Sequence, residues 1–285
     1  MQGYKGPAFN VGFGSRPDNT DPVAPETSDA YEIGLKSSWF DNRLVLNIAA
    51  FYTEYSDFQA SASQFIPDLD ENGNPVDENG DGRDDGVFSF ILSNVGEVET
   101  RGVEVDFTAR PIENLTLFGG VAFIDAEIVK FKDGPCSFGQ TFRGVGYQGQ
   151  TSCAQRPAIQ DLDGGELPES PDWKFTLAAN YLIPLESMPF DVALKGNYRY
   201  QDDIQFLIEQ DEYTTEDAYG ILDLSVALED KSEHYTVTAF VRNATDQWYV
   251  DGIGSFVDTF TPNGYGHTVP RYAERTFGVE GRYRW

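Results

Sequence analysis

The chain reads as all-β, a section of a transmembrane antiparallel β-barrel with about ten strands, joined by short turns at one rim and long loops at the other. Three observations lead there. The first is the final segment, Arg275 to Trp285, in which Phe277, Val279, Tyr283 and Trp285 share one face with Gly281 between them, opposite Thr276, Glu280, Arg282 and Arg284. A terminal strand with an apolar face and no chain left to cover it suits a wall whose outside meets lipid. The second is the recurrence of that alternation along the whole chain. The third is the strict alternation of short and long connections, which puts every short turn on one rim, as in bacterial barrels with short periplasmic turns and long extracellular loops.

Each element follows from these patterns. Tyr4 to Asn10, within residues 1–12, is an up-strand cut short, and the polar stretch Phe13 to Ser28 is the first long loop. Tyr31 to Phe40 runs down to a turn at Asp41-Asn42, and Leu44 to Tyr52 runs up to an acidic extracellular loop, residues 60–88. Val103 to Ala109 descends to a turn at Pro111 to Asn114, and Leu115 to Phe123 climbs to a loop at 131–171 that holds both cysteines. Trp173 to Tyr181 turns at Leu185 to Pro189 into Phe190 to Tyr200, where Val192, Leu194, Gly196 and Tyr198 oppose Ala193, Lys195, Asn197 and Arg199. After the loop Asp203 to Asp217 comes Leu222 to Leu228, a turn at Asp230 to His234, and Tyr235 to Val241. A last loop, Asp251 to Val269, leads to the closing strand at residues 271–285. Aromatics gather at the strand ends, among them Trp39, Tyr52, Tyr55, Trp173, Trp248 and Tyr249, where interfacial girdles are expected.

Composition excludes other classes. With 21 Phe, 15 Tyr and only 2 Met the chain favours strands, and no apolar run approaches the ~18 residues of a spanning helix. A formal net charge of -27 would repel a phosphate backbone, so nucleic acid is not a partner. Met1 is followed by polar, Gly and Pro residues, so an export signal is expected upstream of it.

Few residues suggest chemistry. Asp77, Asn79, Asp81, Gly82 and Asp85 have the spacing of an EF-hand-like calcium loop, but Phe88 stands where a bidentate Glu is required, which excludes a full EF-hand. The expectation is a structural Ca²⁺ in the 68–85 loop held by Asp77, Asn79, Asp81 and Asp85, set against an acidic loop that merely stays hydrated. Cys136 and Cys153 are the only cysteines, share one outer loop and are expected to form a disulfide worth roughly 3 kcal/mol in the chain-entropy model. Phe138, Phe142, Tyr147, Phe206, Phe256, Phe260 and Tyr265 are candidate ligand contacts on the loops. No nucleophile has local context beside either histidine, so no enzyme is expected and no cofactor is required. Glu104, Asp106, Lys195, Arg199, Asp223, Arg242, Glu280 and Arg282 fall on the polar face and would line the lumen.

Four segments carry a resemblance. GYKGPAFN (Gly3 to Asn10), PETSDAYEIGLKSSWFDNRL (Pro25 to Leu44), NVGEVETRGVEVDF (Asn94 to Phe107) and VRNATDQWYVD (Val241 to Asp251) resemble the C-terminal part of TonB-dependent outer-membrane receptors. The third is the most specific, with Asn94, Gly96, Gly102 and Glu104 in the family's N-x-G-x-x-x-x-x-G-x-E places; in the fourth, Val241, Asn243, Asp246 and Tyr249 match and Ala244 replaces the usual Leu. The resemblance implies a bacterial outer-membrane setting and a barrel of about 22 strands plugged by an N-terminal domain, of which this chain would be the C-terminal section. It implies energised uptake of a scarce, bulky nutrient, most often a ferric siderophore, driven by the TonB complex, with no transport by the section alone. Phe277, Val279, Tyr283 and Trp285 would form the signal read by the barrel-insertion machinery. A passive diffusion porin would share the strands and girdles, and the Asn94–Phe107 segment favours the receptor.

Overall fold

The computed structural model describes residues 1–9, 22–68, 70–72, 74–77, 86–155, 157–256 and 264–285. Among these, one sheet joins ten strands in chain order: β1 (Gln2–Lys5), β2 (Glu26–Trp39), β3 (Leu44–Pro67), β4 (Gly86–Ala109), β5 (Leu115–Lys130), β6 (Trp173–Ile183), β7 (Phe190–Gln201), β8 (Tyr219–Asp230), β9 (Tyr235–Arg242) and β10 (Thr276–Tyr283). Every strand is antiparallel to the next, the order expected of an up-and-down barrel wall. The short strand Gly165–Glu166 extends the wall beside the upper end of β5.

Register sorts the two faces. Leu117 of β5 opposes Ala179 of β6, which opposes Gly196 of β7, then Leu224, Val241 and Phe277 follow on β8, β9 and β10. This apolar row crosses six strands on one face. The next row on the opposite face holds Asn180, Lys195 and Ser225, and further along Asn47 donates to Asp106 at 2.9 Å. Large apolar side chains on the first face are open: Ile33 is 77% exposed, Phe277 73% and Val279 75%. Such exposure would be costly in water and is natural in lipid.

Turns at the lower rim match their residues. Phe40, Asp41 and Asn42 take left-handed φ values of 54°, 54° and 64°, and Arg43 N–H closes the turn on Phe40 C=O at 3.1 Å. Asp and Asn tolerate that region better than most residues.

Several boundaries differ from those expected of the sequence. Residues 60–88 are not one loop, because β3 continues to Pro67 and β4 starts at Gly86, with Pro67 opposite Gly86. Ala60 to Ile66 is mostly Ala, Ser and Gln, and main-chain pairing with Val87 to Ser93 carries the hairpin above the ~10 residues that cross a bilayer. The closing strand begins at Thr276 rather than residue 271, since Arg271 to Glu274 form a turn in which Ala273 N–H bonds Pro270 C=O at 3.0 Å. The opening strand is Gln2–Lys5, followed by an isolated bridge from Ala8 to Val23; residues 10–12 lie outside the described residues. The later loops hold their own structure: hairpins pair Ile204–Gln205 with Thr215–Glu216, and Gly252–Phe256 with Gly264–Thr268.

Among the described residues, the buried hydrophobic clusters lie toward the upper rim rather than across the wall. The main buried cluster lies at the upper rim, where Val95, Val98 and Ile128 of β4 and β5 meet Phe131, Leu162 and Ile208 from two loops. A bulge between Glu97 and Val98 re-aims the strand there, and Val98 then follows the same alternation as Glu104. The 131–171 and 202–218 loops therefore fold against the polar, lumen-side face of the wall.

Candidate functional site

Three loops meet at the upper rim. In the first, Gly134 and Pro135 pair with Gln160 and Ile159, and Cys136 is joined to Cys153 with Cα atoms 5.8 Å apart, the bond expected of the sequence. A short helix, α1 (Phe138–Arg143), starts beside that bond. Ser137 and Gln140 form a capping box, each side chain bonded to the other's main-chain N–H, at 3.0 Å to Gln140 N–H and 2.8 Å to Ser137 N–H. Gly144 ends the helix in the left-handed region with φ 71°.

Asp211 of the second loop is the hub. Its carboxylate is fully buried and accepts from Ser137 Oγ at 2.5 Å, Tyr265 Oη at 2.8 Å and Arg143 Nη2 at 2.7 Å. Arg143 also bonds Tyr265 Oη and lies over the Tyr213 ring, 4.4 Å from its centroid. One carboxylate thus ties the helix of the first loop to the hairpin of the third. Burial, with the Asp211 carboxylate beside it, pushes the Tyr265 hydroxyl up to about 12, so it stays protonated and donates. Glutamine amides extend the network: Gln140 Nε2 and Gln160 Nε2 both reach Glu209 C=O, at 2.8 and 3.0 Å, and Gln160 Oε1 accepts from Tyr147 N–H at 2.6 Å. Each is nearly fully buried, and each amide has the partners burial demands.

Between the first two loops lies a cavity of about 460 Å³. Arg143, Tyr147, Gln148, Glu166, Asp203, Gln205 and Glu212 are among its lining residues. Arg143 is the one cation in that lining, and Asp211 neutralises it, which leaves Glu166, Asp203 and Glu212 to set the charge. Burial raises the Glu166 carboxyl, and Asp203, Asp172 and Asp202 add repulsion. Burial likewise raises Asp172, next to Asp125, Asp202 and Asp203. The cavity is a polar, amide-lined recess at negative potential, fit for hydrogen-bonding ligands and poor for polyanions.

The predicted contact residues divide. Tyr147 lines the cavity, Phe142 is 45% exposed, and Phe138 and Phe206 are half-buried in the loops. Tyr265 is held in the Asp211 network, so it secures the third loop in this structure. Phe256 is described through its backbone alone, at the end of Gly252–Phe256, and Phe260 lies outside the described residues. Of the expected calcium ligands, Asn79, Asp81 and Asp85 lie outside the described residues, and Asp77 is exposed. Nearby, Asp70 accepts from Asn72 and Asn74 main-chain N–H groups at 2.8 and 2.9 Å, and the Asn74 bond holds its carboxyl below the usual range. Residue-by-residue reading missed Arg143, Asp211 and the buried glutamines; the Ser137-x-x-Gln140 spacing was the one local signal of this site.

Two of the four family-like segments, Asn94–Phe107 and Val241–Asp251, have clear structural tasks. Asn94 donates to Asp57 C=O at 2.7 Å and Ala24 C=O at 3.0 Å and accepts from Ala24 N–H at 2.8 Å, anchoring the chain before β2. A Cβ on Gly96 would come within 2.5 Å of Lys130 C=O, so only glycine fits. Asn243, fully buried, accepts from Gln247 N–H at 2.9 Å and donates to Ala273 C=O at 3.2 Å. Asp246 holds Arg275 at 3.1 Å, and Tyr249 stacks on Tyr219 and accepts from Arg199 Nη2 at 2.7 Å.

A family model described as TonB dependent receptor-like, beta-barrel matches residues 1–244. The chain belongs to this family of outer-membrane transport receptors. Solved receptors share the fold across nearly all of it. The ferric yersiniabactin uptake receptor FyuA from Yersinia pestis superposes on 99% of the chain with TM-score 0.66 and 18% identity, covering 33% of FyuA. The ferric-catecholate import receptor Fiu from E. coli K12 covers 97% of the chain and 30% of itself, with TM-score 0.58 and 18% identity. The siderophore receptor PiuA from Acinetobacter baumannii covers 91% and 28%, with TM-score 0.57 and 16% identity. The TonB-dependent barrel section described here therefore spans about a third of the length of these receptors or less. Its setting is the bacterial outer membrane, and the exposed apolar face of β2 to β10 is the lipid face.

Proposed function

We propose that this chain forms the closing wall and part of the outer vestibule of a receptor that imports a ferric siderophore. The observation that carries the reading is the loop cluster: three outer loops are locked by a disulfide and a buried charge network over the lumen side of the wall, and the first two flank an open cavity of about 460 Å³. A diffusion pore has no need of a preorganised recess at its mouth, whereas capture of a scarce solute does. The likeness to receptors named for ferric siderophores supports this cargo. Transport would be energised by the TonB complex acting on a plug domain seated against Lys195, Asp223, Arg242 and Glu280, which line a recess on the lumen face. The last strand, with Phe277, Val279, Tyr283 and Trp285, would be the segment that the barrel-insertion machinery reads. A structural Ca²⁺ in the 68–85 loop is a further proposal.

Uptake of radiolabelled iron by the source bacterium, with the gene for the intact receptor deleted and restored, tests the reading. Ferric siderophore uptake should fall on deletion, return on complementation, and vanish when the proton gradient is collapsed. Uptake of small solutes that persists without the gradient would instead make the barrel a passive pore.

A further inference from the structure

The lipid face is not evenly filled. Inside the sheet and away from its edges, three glycines fall on this face: Gly119, Gly196 and Gly220. Two are covered by an aromatic ring of a neighbouring strand. A Cβ on Gly119 would meet the Phe107 ring at 2.3 Å, and one on Gly220 would meet Tyr198 Oη at 2.2 Å. Glycine in a strand loses backbone entropy and side-chain packing, and a ring laid over it restores the packing. Gly196 has no such cover. The nearest atom to a Cβ there is Leu224 Cδ2 at 3.3 Å, and its φ is not in the positive region, so backbone geometry does not demand glycine.

What the bare glycine leaves is a groove of about 560 Å³. Ala179 lies directly opposite Gly196 on β6, and Ala239 opposes Val226 on β8, so small residues form the floor. Tyr181, Leu194, Leu224, Val226 and Phe277 form the sides. The groove is open along the wall and continuous with the lipid-facing belt, so its surroundings are bilayer and not water. Tyr181 marks its periplasmic end, two residues before β6 finishes, and the Tyr235–Tyr283 ring pair, centroids 5.1 Å apart, lies at the periplasmic ends of β9 and β10.

We propose that this groove is a binding site for one acyl chain of a phospholipid in the periplasmic leaflet. An apolar channel inside the lipid belt offers nothing to a polar ligand. A second copy of the chain would need a contact on the order of 1,000 Å² or more, a surface rather than a slot. An acyl chain fills the slot and gains dispersion contacts along two walls that a flat lipid face does not offer. The fitted lipid would be held while neighbouring lipids exchange freely.

The test uses the intact receptor, extracted gently from membranes and examined by native mass spectrometry beside the Gly196→Leu variant, which fills the groove. The wild type should retain about one more phospholipid per barrel than the variant. Equal lipid counts would overturn the proposal, and a wild-type dimer that Gly196→Leu dissociates would assign the groove to a second copy. In case that variant fails to insert, wild-type receptor is illuminated in vesicles of phosphatidylethanolamine bearing a diazirine on one acyl chain. Label concentrated several-fold in peptides containing residues 177–181, 194–196 and 224–226 supports the site. Label spread evenly over all outward-facing strands refutes it.

Discussion

The wall and the loop cluster of this chain obey opposite rules. On the wall, bulky apolar side chains are outermost: Ile33, Phe277 and Val279 are more than 70% exposed, and polar residues such as Asn47 and Asp106 pair on the other side. In the loop cluster, Leu162 and Cys153 are inaccessible, as are Val98 and Ile128 of the strands beneath it, and the charges that penetrate, such as Asp211, are fully partnered. The difference teaches where each region's stability comes from. The wall is held by main-chain ladders and by its surrounding lipid, which supplies the apolar contact that a core would supply elsewhere. The loops face water and must build a core, a disulfide and a satisfied polar network of their own.

The largest expected effect is at the loop hub. Replacing Asp211 with Ala leaves Arg143 without its charge partner and Ser137 and Tyr265 without an acceptor, all under low solvent access. Breaking one side of a buried pair costs about 3–5 kcal/mol, so the loops should open locally while the wall stays folded. Hydrogen exchange of the intact receptor should then speed up at residues 137–147 and 205–215 and stay unchanged in β7 and β8. Loss of protection in the strands as well would show that wall and loops are one cooperative unit.

A smaller effect separates the two faces of the wall. Val226→Arg puts a charge into the middle of the lipid face, at a cost of about 2–4 kcal/mol, whereas Ser225→Arg, one residue away, points to the lumen and should cost under about 1 kcal/mol. Urea unfolding in lipid vesicles, read by heat-modifiable gel mobility, would compare them. Equal losses would contradict the assignment of faces.

The smallest effect is electrostatic. Glu166 titrates higher in the folded loop than in the unfolded chain, because burial and nearby carboxylates disfavour its charge. Between the ordinary carboxylate value and that raised value the native state holds the extra proton, so stability falls as pH rises through the window. Above the window the full penalty applies, and Glu166→Gln should relieve it by a few tenths of a kcal/mol, the group being half open to solvent. Loop hydrogen exchange at pH 4 and pH 7 should show the variant better protected only at the higher pH. Equal protection at both would mean that solvent screens the carboxylate cluster.

Much of the wall was legible in the sequence because a barrel strand declares itself locally. Alternation of period two sets which residues share a face, and Phe190 to Tyr200 could be read without any knowledge of its neighbours. The family-like segments were legible too, since Asn94, Gly96 and Asn243 each satisfy a backbone requirement that few other residues meet. The reach of the Leu44–Pro67 and Gly86–Ala109 hairpin was less so, because strand pairing beyond the membrane depends on the partner strand and not on an apolar period.

The sequence by itself therefore determined the strand pattern, the two faces, the family and the pairing of the only two cysteines, whereas Tyr249, expected in an interfacial girdle, is buried against Tyr219 and Ile221. Tertiary structure alone decided that Arg143, Asp211 and Tyr265, up to 122 residues apart, share one buried network. It also decided that Gly196 stays uncovered while Gly119 and Gly220 do not. The physical reason is range: main-chain geometry and face alternation are written between near neighbours, whereas a partner for a buried charge or a ring over a glycine exists only once distant strands and loops have met.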